Sequence, residues 1–442
     1  MTILWTREEL TALFGQGADI TGISIDSRTL SPGELFVALQ DTRDGHDFVA
    51  AAFARGAAAA LVSKPCPGNV ILVPDTLKAL EALGVAATRR SAARRVAITG
   101  SVGKTTTKEM LRRVLSAFGT VHAAEASFNN HIGVPLTLAR MPRDAAFGVF
   151  EIGMNHPGEI APLAALAAPD IAIITCIDRA HLGLMGSEAA IAHEKAALYA
   201  ALRPGGVAVV PGESGFLPLL RAAVPAGAVP LVTGEDARLL EYEPSPTGSR
   251  ILVALASGNV GLKLDAPGEH MVRNALAVLL AAQALGLDPA LAAAALDGFA
   301  PYKGRGARRQ LTLPQGRVLL FDESYNASRA SMRAALAVLR LQPGRHIAAL
   351  GDMLELGAFA DAEHLALRDD VIAACDMVFT SGPHMGLLFD SLPASKQGAH
   401  APDAASLAPL VQAALHEGDC LLVKGSFGSR MRDVIQALES PG

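Results

Sequence analysis

The chain has 442 residues, a formal net charge of −5, and hydrophobic side chains at half of its positions. This length exceeds one ordinary hydrophobic core, so we expect two or three domains. The negative balance argues against general affinity for nucleic acid, which needs a basic surface. The N-terminal segment carries charges at 7–9, and the most apolar run (275–287) is interrupted by Gln283. We therefore predict neither a signal peptide nor a membrane span, and expect a cytoplasmic protein. Zinc sites and disulfides are not predicted, because the cysteines are widely separated: Cys66, Cys176, Cys375 and Cys420.

The first 93 residues alternate short strand-like runs with alanine-rich helical runs, which predicts a mixed α/β domain over 1–93. The segment "FVAAAFARGAAAALVS" is typical of a helix that stops at Gly56 and leads into a strand. A basic segment, "RRSAARR" at 89–95, precedes the next apolar strand and marks the predicted boundary.

A second domain is predicted over 94–309. Its candidate strands, "VAITG", "FGVFEIG", "IAIITCI" and "GVAVVP", are continuous apolar runs, as in parallel strands covered on both faces. Helical segments lie between them, which indicates a doubly wound parallel sheet. A hairpin is predicted around residues 257–259, followed by a long helix from about 270.

A third, Rossmann-like α/β domain is predicted over 310–442. Its candidate strands are "RVLLFDESYN", "HIAALGD", "MVFTSG" and "CLLVKGS", and each runs into a loop with polar residues. Ligands bind at the carboxyl ends of strands in open α/β sheets, so these loops are candidate site segments.

The segment "ITGSVGKTTT" at 98–107 joins an apolar strand to a helix and has the pattern of a phosphate-binding loop. Its glycines would let backbone N–H groups reach phosphate oxygens, Lys104 would reach the terminal phosphates, and the Thr105 hydroxyl would be a Mg²⁺ ligand. Ile98 stands where the usual pattern has its first glycine, so the loop has a shortened form. The alternative is a plain strand-to-helix turn without a ligand.

Two further residues have chemistry that suits such a loop. Glu151 ends the strand "FGVFE", where its carboxylate would be a Mg²⁺ ligand or, alternatively, a cap on the next turn. Lys195 shares a helical face with Ile191, Leu198 and Leu202, so its side chain either extends out to solvent or is buried. Burial would lower its pKa and free the amine for reaction with CO₂.

The shortened loop resembles that of the Mur ligases and of the related folylpolyglutamate synthetase, which are ATP-dependent amide-forming enzymes. Further strings resemble the Mur ligase family in family order along nearly the whole chain: "DSRTLSPGELFVAL", "DGHDF", "FNNHIGVPLTLAR", "EIGMNHPGEI", "AHLGLMGS", "GEHMVRNALAV", "DESYNAS", "LGDMLELG" and "LVKGS". The strings "FNNHIGVPLTL" and "GDMLELG" favour the member type that adds D-alanyl-D-alanine to a UDP-N-acetylmuramoyl-tripeptide.

The resemblance implies a reaction through an acyl phosphate, with ATP as phosphoryl donor and two Mg²⁺ ions. It implies metal ligation by Thr105, Glu151 and His181, and by Lys195 as a CO₂-derived carbamate. A structural histidine is the alternative at position 181. Catalytic roles are implied for Lys104, Glu151, His181 and Lys195.

The resemblance also implies binding residues. For the nucleotide they are Gly100, Ser101, Val102, Gly103, Lys104, Thr105, Thr106, Asn274, Arg305, Asp322, Tyr325 and Asn326. The alternatives are a helix-surface asparagine at position 274 and, for Arg305 with Arg308 and Arg309, a solvated linker. For the UDP-linked substrate they are Ser27, Arg28, Asp44, His46, Asn130 and His131, with Asp26 ordering its turn. For the dipeptide they are Asp352 and Glu355 toward the ammonium, and Lys424 and Ser426 toward the carboxylate. A cap on the turn "MLELG" is the alternative for Asp352.

Two alternatives stay open at this point. One is a sister ligase of the same family, or a folylpolyglutamate synthetase-like ligase. The other is an ATP-binding regulator, against which Glu151, His181 and Lys195 argue. GTPase function is disfavoured because no Asn-Lys dipeptide of a guanine-binding motif occurs. We expect a monomer, and the sequence leaves open whether the third substrate residue is meso-diaminopimelate or lysine.

Overall fold

The computed structural model describes residues 2–124, 127–302 and 304–439. These residues form a three-domain α/β protein, as the sequence predicts. They contain four sheets. Among them, no helix combines the length and the apolar character needed to cross a membrane.

The N-terminal domain has a parallel sheet in the order β1-β2-β3-β4. Its elements are α1 (Arg7–Phe14), β1 (Gly22–Ser24), β2 (Glu34–Val37), α2 (Val49–Ala54), β3 (Ala59–Val62), β4 (Val70–Leu72) and α3 (Thr76–Arg90). Helix α2 and strand β3 confirm the predicted helix and strand around Gly56. Asp75 begins α3 because its carboxylate accepts the backbone N–H groups of Leu77 and Lys78, at 2.8 and 3.0 Å.

The basic segment at the predicted first boundary is part of the packing between domains. The Arg90 guanidinium lies 3.4 Å from the Trp5 ring centroid and 3.0 Å from the Glu9 carboxylate. The Trp5 indole N–H donates to the carbonyl of Ala139 in the next domain, at 2.9 Å. Arg95 is buried and donates to the Thr88 and Ala168 carbonyls. This segment therefore takes part in the contacts that join the N-terminal and central domains, together with the packing of α3 against α5 and α6.

The central domain has a parallel six-stranded sheet in the order β10-β9-β8-β5-β7-β6. Its elements are β5 (Arg94–Thr99), α4 (Lys104–Leu115), β6 (Val121–Ala123), α5 (Gly133–Ala139), β7 (Phe147–Glu151), α6 (Ile160–Ala167), β8 (Ile171–Ile174), α7 (Leu182–Met185), α8 (Glu188–Ala196), β9 (Val207–Val210), α9 (Leu217–Ala222) and β10 (Val229–Val232). The four apolar runs of the sequence are β5, β7, β8 and β9, and their residues are almost entirely buried.

The predicted hairpin is confirmed as part of a three-stranded antiparallel sheet on one side of the central sheet. It consists of β11 (Ala237–Ser245), β12 (Gly248–Leu255) and β13 (Gly258–Leu264). Helix α10 (Glu269–Ala284), which is the predicted long helix, and α11 (Pro289–Leu296) follow. Helices α4, α10 and α11 and this small sheet share one apolar core with β5, β7 and β8.

The C-terminal domain has a six-stranded sheet in the order β14-β15-β19-β16-β17-β18, in which only the β14–β15 pair is antiparallel. Its elements are β14 (Ala307–Leu313), β15 (Gly316–Glu323), α12 (Arg329–Leu339), β16 (His346–Gly351), α13 (Ala360–Leu365), α14 (Arg368–Ala374), β17 (Met377–Ser381), α15 (Pro383–Ser391), β18 (Gln397–Ala401), α16 (Ala404–Ala414), β19 (Cys420–Lys424) and α17 (Arg432–Glu439). The sheet of the C-terminal domain thus starts at Ala307, three residues before the predicted boundary, because the antiparallel strand β14 has no apolar run that would show it in the sequence.

Candidate functional site

The carboxyl ends of β8, β5 and β7 lie side by side in the central sheet, and the residues that follow them meet there. Strand β5 leads into the loop 100–103, β7 ends at Glu151, and β8 leads into Thr175. Side chains on three neighbouring loops converge at this edge, where ligands of parallel sheets bind.

The loop 100–103 has the backbone of an anion-binding turn. Gly100 has φ +152° and Gly103 has φ +87°, in the region that favours glycine. A Cβ atom on Gly100 would lie 1.8 Å from the Thr175 hydroxyl oxygen, and one on Gly103 would lie 2.7 Å from Asn274 Oδ1. No larger residue fits at either position without movement of these neighbours. Helix α4 starts directly after the loop, so its free N–H groups point toward the loop.

Glu151 is the centre of the polar contacts at this edge. Its carboxylate is 2% exposed and accepts from the Thr105 hydroxyl at 2.8 Å and from Asn129 Nδ2 at 2.7 Å. The Ser127 hydroxyl lies 3.2 Å from Thr105 Oγ1 and accepts from Arg305 Nη2 at 3.0 Å. Thr105, Glu151 and Arg305, three residues proposed from the sequence, therefore belong to one connected network.

Two lysines lie close to this network. Lys104 Nζ donates to the Gly100 carbonyl at 2.7 Å, and burial lowers its pKa, partly offset by the Glu151 carboxylate. Lys195 is 1% exposed, and burial followed by the positive charge of Lys104 holds its pKa well below the usual value. In the described part of the chain, the Lys195 amine has no hydrogen-bond or ion-pair partner. Of the two readings of Lys195 in the sequence, the buried one is confirmed.

In the described residues, no hydrogen bond or ion pair joins His181 to Glu151. The Nδ1 atom of His181 pairs with the Glu355 carboxylate of the C-terminal domain, which lowers the pKa of Glu355. Within residues 2–124, 127–302 and 304–439, no three His, Cys, Asp or Glu side chains are grouped closely enough to hold a metal ion. The four predicted metal ligands are thus not assembled as one cluster by protein contacts alone.

The residues predicted to face the nucleotide from the C-terminal side lie near the Arg305 end of the network. Tyr325 is 40% exposed, with the Arg305 guanidinium 4.2 Å from its ring centroid. Asp322 is buried and accepts from the Ser324 hydroxyl at 2.7 Å, while Asn326 Oδ1 accepts from the Ala327 N–H at 2.9 Å. Asn274 is buried with its amide against Gly103, directly below the phosphate loop.

The four residues predicted for the dipeptide are engaged in contacts within the protein. Asp352 is 5% exposed and accepts from the Met385 N–H at 2.8 Å, at the start of α15. Lys424 is 1% exposed and donates to the Asn326 carbonyl at 2.9 Å and to Glu323 at 3.3 Å. The Ser426 hydroxyl accepts from the Leu354 N–H at 2.9 Å.

The residues predicted for the UDP-linked substrate have mixed surroundings. The Arg28 side chain is 83% exposed and pairs with Asp26 at 2.7 Å, while Ser27 is buried. Asp44 accepts from His46 Nδ1 at 2.6 Å. Asn130 Oδ1 accepts from the Gly133 N–H at 2.8 Å at the start of α5, and His131 is exposed.

Sequence reasoning missed three members of the site. They are Ser127 and Asn129, which complete the network around Glu151, and Thr175, whose hydroxyl donates to the Val102 carbonyl at 2.5 Å. Asn129 lies in the string "FNNHIG", and only the fold decides which of the two adjacent asparagines reaches Glu151. Thr175 lies directly after a predicted strand, which was the available signal.

Comparisons with known proteins agree with this architecture. The family models for the "Mur ligase family, catalytic domain", the "Mur ligase middle domain" and the "Mur ligase, glutamate ligase domain" match residues 19–118, 98–282 and 307–427. The chain is 34% identical to the UDP-N-acetylmuramoyl-tripeptide–D-alanyl-D-alanine ligase of Escherichia coli K12, over 99% of each chain.

Solved structures give the same result. A crystal structure of MurF from Acinetobacter baumannii superimposes with a TM-score of 0.89, at 31% identity and 98% coverage of both chains. MurF ligase from Thermotoga maritima in complex with ADP superimposes with a TM-score of 0.81, at 26% identity, covering 95% of this chain and 97% of the other. The chain therefore belongs to the Mur ligase family.

Proposed function

We propose that the protein uses ATP to join D-alanyl-D-alanine to a UDP-N-acetylmuramoyl-tripeptide, which forms the pentapeptide precursor of peptidoglycan. The E. coli relative carries this activity in its name and matches along its whole length. The observation that carries the proposal within the molecule is the network of Thr105, Glu151 and Arg305 at the phosphate loop.

The reaction has two steps. An oxygen of the tripeptide carboxylate attacks the γ-phosphorus of ATP, the bond to the bridging oxygen breaks, and ADP leaves. The dipeptide ammonium loses one proton, and the free amine attacks the acyl carbon. The C–O bond to phosphate breaks, phosphate leaves, and the nitrogen loses a second proton as the amide forms. The first step brings two anions together, so cationic groups must balance their charge.

This chain offers such groups at the carboxyl edge of the central sheet. The N-terminus of α4 presents free N–H groups, Lys104 carries a flexible ammonium, and Arg305 presents a guanidinium from the segment between the two domains. We infer that Lys104 exchanges its contact with the Gly100 carbonyl for the terminal phosphates of ATP. Arg305 would then hold the transferred phosphoryl group together with the loop N–H groups.

The residues present fit one Mg²⁺ ion. Thr105 Oγ1 and the Glu151 carboxylate are 2.8 Å apart, and hydroxyl, carboxylate and phosphate oxygens are the ligands that Mg²⁺ takes beside a phosphate loop. When bound, the ion would neutralise phosphate charge and fix the phosphate orientation. A second ion at His181 would have to use the ring nitrogen that is not paired with Glu355. Asn129 would keep Glu151 oriented through its hydrogen bond to Oε1.

We also propose a carbamate on Lys195 as a metal ligand. Support comes from its burial, its lowered pKa, and the lack of a partner for its amine in the described residues. A neutral amine attacks CO₂, forms an N–C bond and releases one proton, and the resulting carbamate anion would offset the positive charge of Lys104. Intact-protein or peptide mass measurement in bicarbonate buffer should detect one added carboxyl group at Lys195. Full activity of Lys195→Ala, with no response to bicarbonate, would contradict this proposal.

The contacts to the two peptide substrates stay predictions. For the UDP-linked substrate they involve Ser27, Arg28, Asp44, His46, Asn130 and His131. For the dipeptide, the candidates Asp352, Glu355, Lys424 and Ser426 would need to exchange their present contacts for the substrate. The domain limits, a monomeric state and a cytoplasmic location are likewise proposed.

A coupled assay of phosphate release tests the function. We expect release only when ATP, a UDP-muramoyl-tripeptide and D-alanyl-D-alanine are all present, and a panel of tripeptides with meso-diaminopimelate or lysine would identify the third residue. Release that requires a single amino acid and a shorter UDP-muramoyl peptide would indicate a sister ligase. ATP turnover that is independent of both peptide substrates would contradict the proposal and favour a regulator.

A further inference from the structure

The segment 175–183, which we name the bridge loop, follows β8 and contacts the phosphate loop on one side and the C-terminal domain on the other. On the phosphate-loop side, the Ser101 hydroxyl donates to the Asp178 carbonyl at 2.8 Å and accepts from the Asp178 N–H at 2.9 Å. The Ser101 N–H donates to the Cys176 carbonyl at 3.0 Å, and Thr175 Oγ1 donates to the Val102 carbonyl at 2.5 Å. These four hydrogen bonds therefore join the bridge loop to the phosphate loop.

The other side of the bridge loop contacts three separate segments of the C-terminal domain. Asp178 Oδ2 accepts from the Ala330 N–H at 3.3 Å, in the first turn of α12. Arg179 Nη1 donates to Glu363 Oε1 at 2.6 Å, and that carboxylate is buried in α13. His181 pairs with Glu355. These contacts between domains come from residues that are almost consecutive in the chain.

Among these contacts, the crossing of the two backbones at Gly183 leaves no space for a side chain. The Gly183 N–H donates to the Glu355 carbonyl at 3.0 Å, and a Cβ atom there would lie 2.5 Å from Gly357 N and 2.6 Å from the Leu356 carbonyl carbon. Both His181 and Glu355 have left-handed backbone conformations, with φ of +63° and +66°. Non-glycine residues adopt this region mainly where surrounding contacts impose it.

The segment 352–357 is held rigidly on its own domain. Met353 N–H donates to His364 Nε2 at 2.9 Å, and Leu354 N–H donates to the Ser426 hydroxyl at 2.9 Å. His364 is fully buried, and its other ring nitrogen contacts the Ala360 carbonyl at 2.7 Å. A contact to this segment is therefore a contact to a part of the C-terminal domain that hydrogen bonds join to α13 and to the loop after β19.

From these contacts we propose that the bridge loop positions the C-terminal domain on the phosphate loop, with Gly183 and Glu355 as the positioning residues. The Glu355 carboxylate then orients His181, and the Glu355 backbone carbonyl accepts the Gly183 N–H. Neither group is assigned to the dipeptide ammonium. This inference rests on the proposed function where it concerns catalysis, because it assigns these residues a part in assembling the ATP site and the C-terminal domain for the same reaction.

We call the contact between the bridge loop and the segment 352–357 the joint, and the variants Gly183→Ala and Glu355→Gln the joint variants. Hydrogen exchange on the full chain tests the joint without a measurement of turnover. We compare Gly183→Ala and Glu355→Gln with matched controls: Gly215→Ala, where a Cβ meets nothing within 4 Å, and Glu417→Gln, whose carboxylate pairs with Arg317 inside the C-terminal domain. Both joint variants should exchange about tenfold faster than wild type in peptides covering 175–186 and 352–359. The controls should match wild type, and the melting temperature of each variant shows whether it is folded.

Nucleotide coupling gives a second readout. A non-hydrolysable ATP analogue should slow exchange at the phosphate loop and also at 352–359 in wild type, and only at the phosphate loop in the joint variants. For ligation, we expect kcat to fall about tenfold or more in the joint variants, since small misplacements are costly in catalysis, with KM for ATP within about twofold.

Unchanged exchange at both segments, or unchanged kcat despite faster exchange, would overturn the inference. A raised KM for the dipeptide at constant kcat in Glu355→Gln would overturn it in favour of direct dipeptide contact. If the analogue protects no part of the phosphate loop, the proposed use of ATP fails instead, and the exchange of the variants without nucleotide still decides whether the joint exists.

Discussion

Two groups of buried polar residues, each near the carboxyl edge of a parallel sheet, differ in how many partners they have within the protein. At the edge of the central sheet, Thr105 and Glu151 contact one another and the side chains of Ser127 and Asn129, and Lys195 has no partner in the described residues. At the edge of the C-terminal sheet, Asp352 and Lys424 are as deeply buried, but each already has partners in its own domain.

The difference lies in what each group does for the fold. Asp352 holds the start of α15, and Lys424 holds the turn after β15, so their removal leaves backbone groups without partners. The side chains of Lys195 and Glu151 hydrogen-bond no backbone groups in the described residues. Their burial therefore lowers the stability of the fold, and no backbone hydrogen bond compensates for it. Burial of ionisable groups with little structural use is typical of functional sites. The comparison predicts opposite patterns of activity and stability in the two regions.

Glu151→Gln should have the largest effect on activity. The substitution keeps the volume and an acceptor for Thr105 but removes the negative charge next to the phosphate loop. We expect kcat to fall about a hundredfold or more, which corresponds to roughly 3 kcal/mol of transition-state stabilisation. Phosphate release at saturating substrates measures this, with the exposed Glu243→Gln in β11 as the control. Activity within about threefold of wild type would remove Glu151 from the site.

Lys195→Met should lower activity and raise stability. Burial holds the folded-state pKa of Lys195 well below 10.5, so the unfolded chain binds this proton more tightly. The wild type therefore loses stability as the pH falls below 10.5, and the cost is complete below the folded pKa. In carbonate-free buffer at neutral pH, the variant should melt higher by about 2 °C or more. The gain should shrink as the pH approaches 10.

The response of the melting temperature to bicarbonate distinguishes a Lys195 that forms a carbamate from a Lys195 that is only buried. Bicarbonate should raise the melting temperature of wild type, because the carbamate forms only on the folded chain, and leave Lys195→Met unchanged. A variant that melts lower than wild type at neutral pH would show that Lys195 stabilises the fold, and the contrast between the two regions would fail.

Asp352→Ala should show the reverse pattern. Loss of the contact to the Met385 N–H at the start of α15 should cost about 1–2 kcal/mol, seen as a lower melting temperature. We expect KM for D-alanyl-D-alanine to change by less than about threefold. Asp403→Ala, which removes the corresponding contact at the start of α16, is the matched control for the loss of a helix cap alone. A tenfold rise in that KM would restore Asp352 to the dipeptide site.

The sequence brought together more of the residues that contact one another at the central sheet than at the C-terminal sheet, for a physical reason. A phosphate loop is local: its strand, glycines and helix are adjacent in the chain, so the pattern carries its own geometry. Glu151 was found because parallel strands end at a common edge. The same rule selected Asp352 and Ser426, but a strand end does not show whether a side chain faces a ligand or caps a neighbouring helix.

The features that the sequence did not predict are mostly contacts between segments that are distant in the chain. The pairing of His181 with Glu355 and the crossing at Gly183 depend on how two domains sit together, and no short-range pattern encodes that. The antiparallel strand β14 was missed for a related reason, since the polar run "ARRQLTL" lacks the apolar continuity of a buried strand. The local geometry of the phosphate loop was thus predictable from the sequence, and the contacts between domains were not.

Arg28→Gln should have the smallest effect on stability and sets the lower limit of the comparison. Arg28 is 83% exposed in its side chain, and its pairing with Asp26 lowers the pKa of that carboxyl to about 2. Because the folded pKa lies below the unfolded value of 3.8, any contribution of the pair is present above pH 3.8 and is lost as the pH falls toward 2. Solvent screens an exposed pair, so the melting temperature at neutral pH should not change measurably. If Arg28 binds the diphosphate of the UDP-linked substrate, KM for that substrate should still rise about tenfold, because a charge-assisted contact to phosphate is lost. An unchanged KM would leave Arg28 as a surface residue, and a clear loss of melting temperature would show that exposure in the N-terminal domain does not distinguish binding from structural residues.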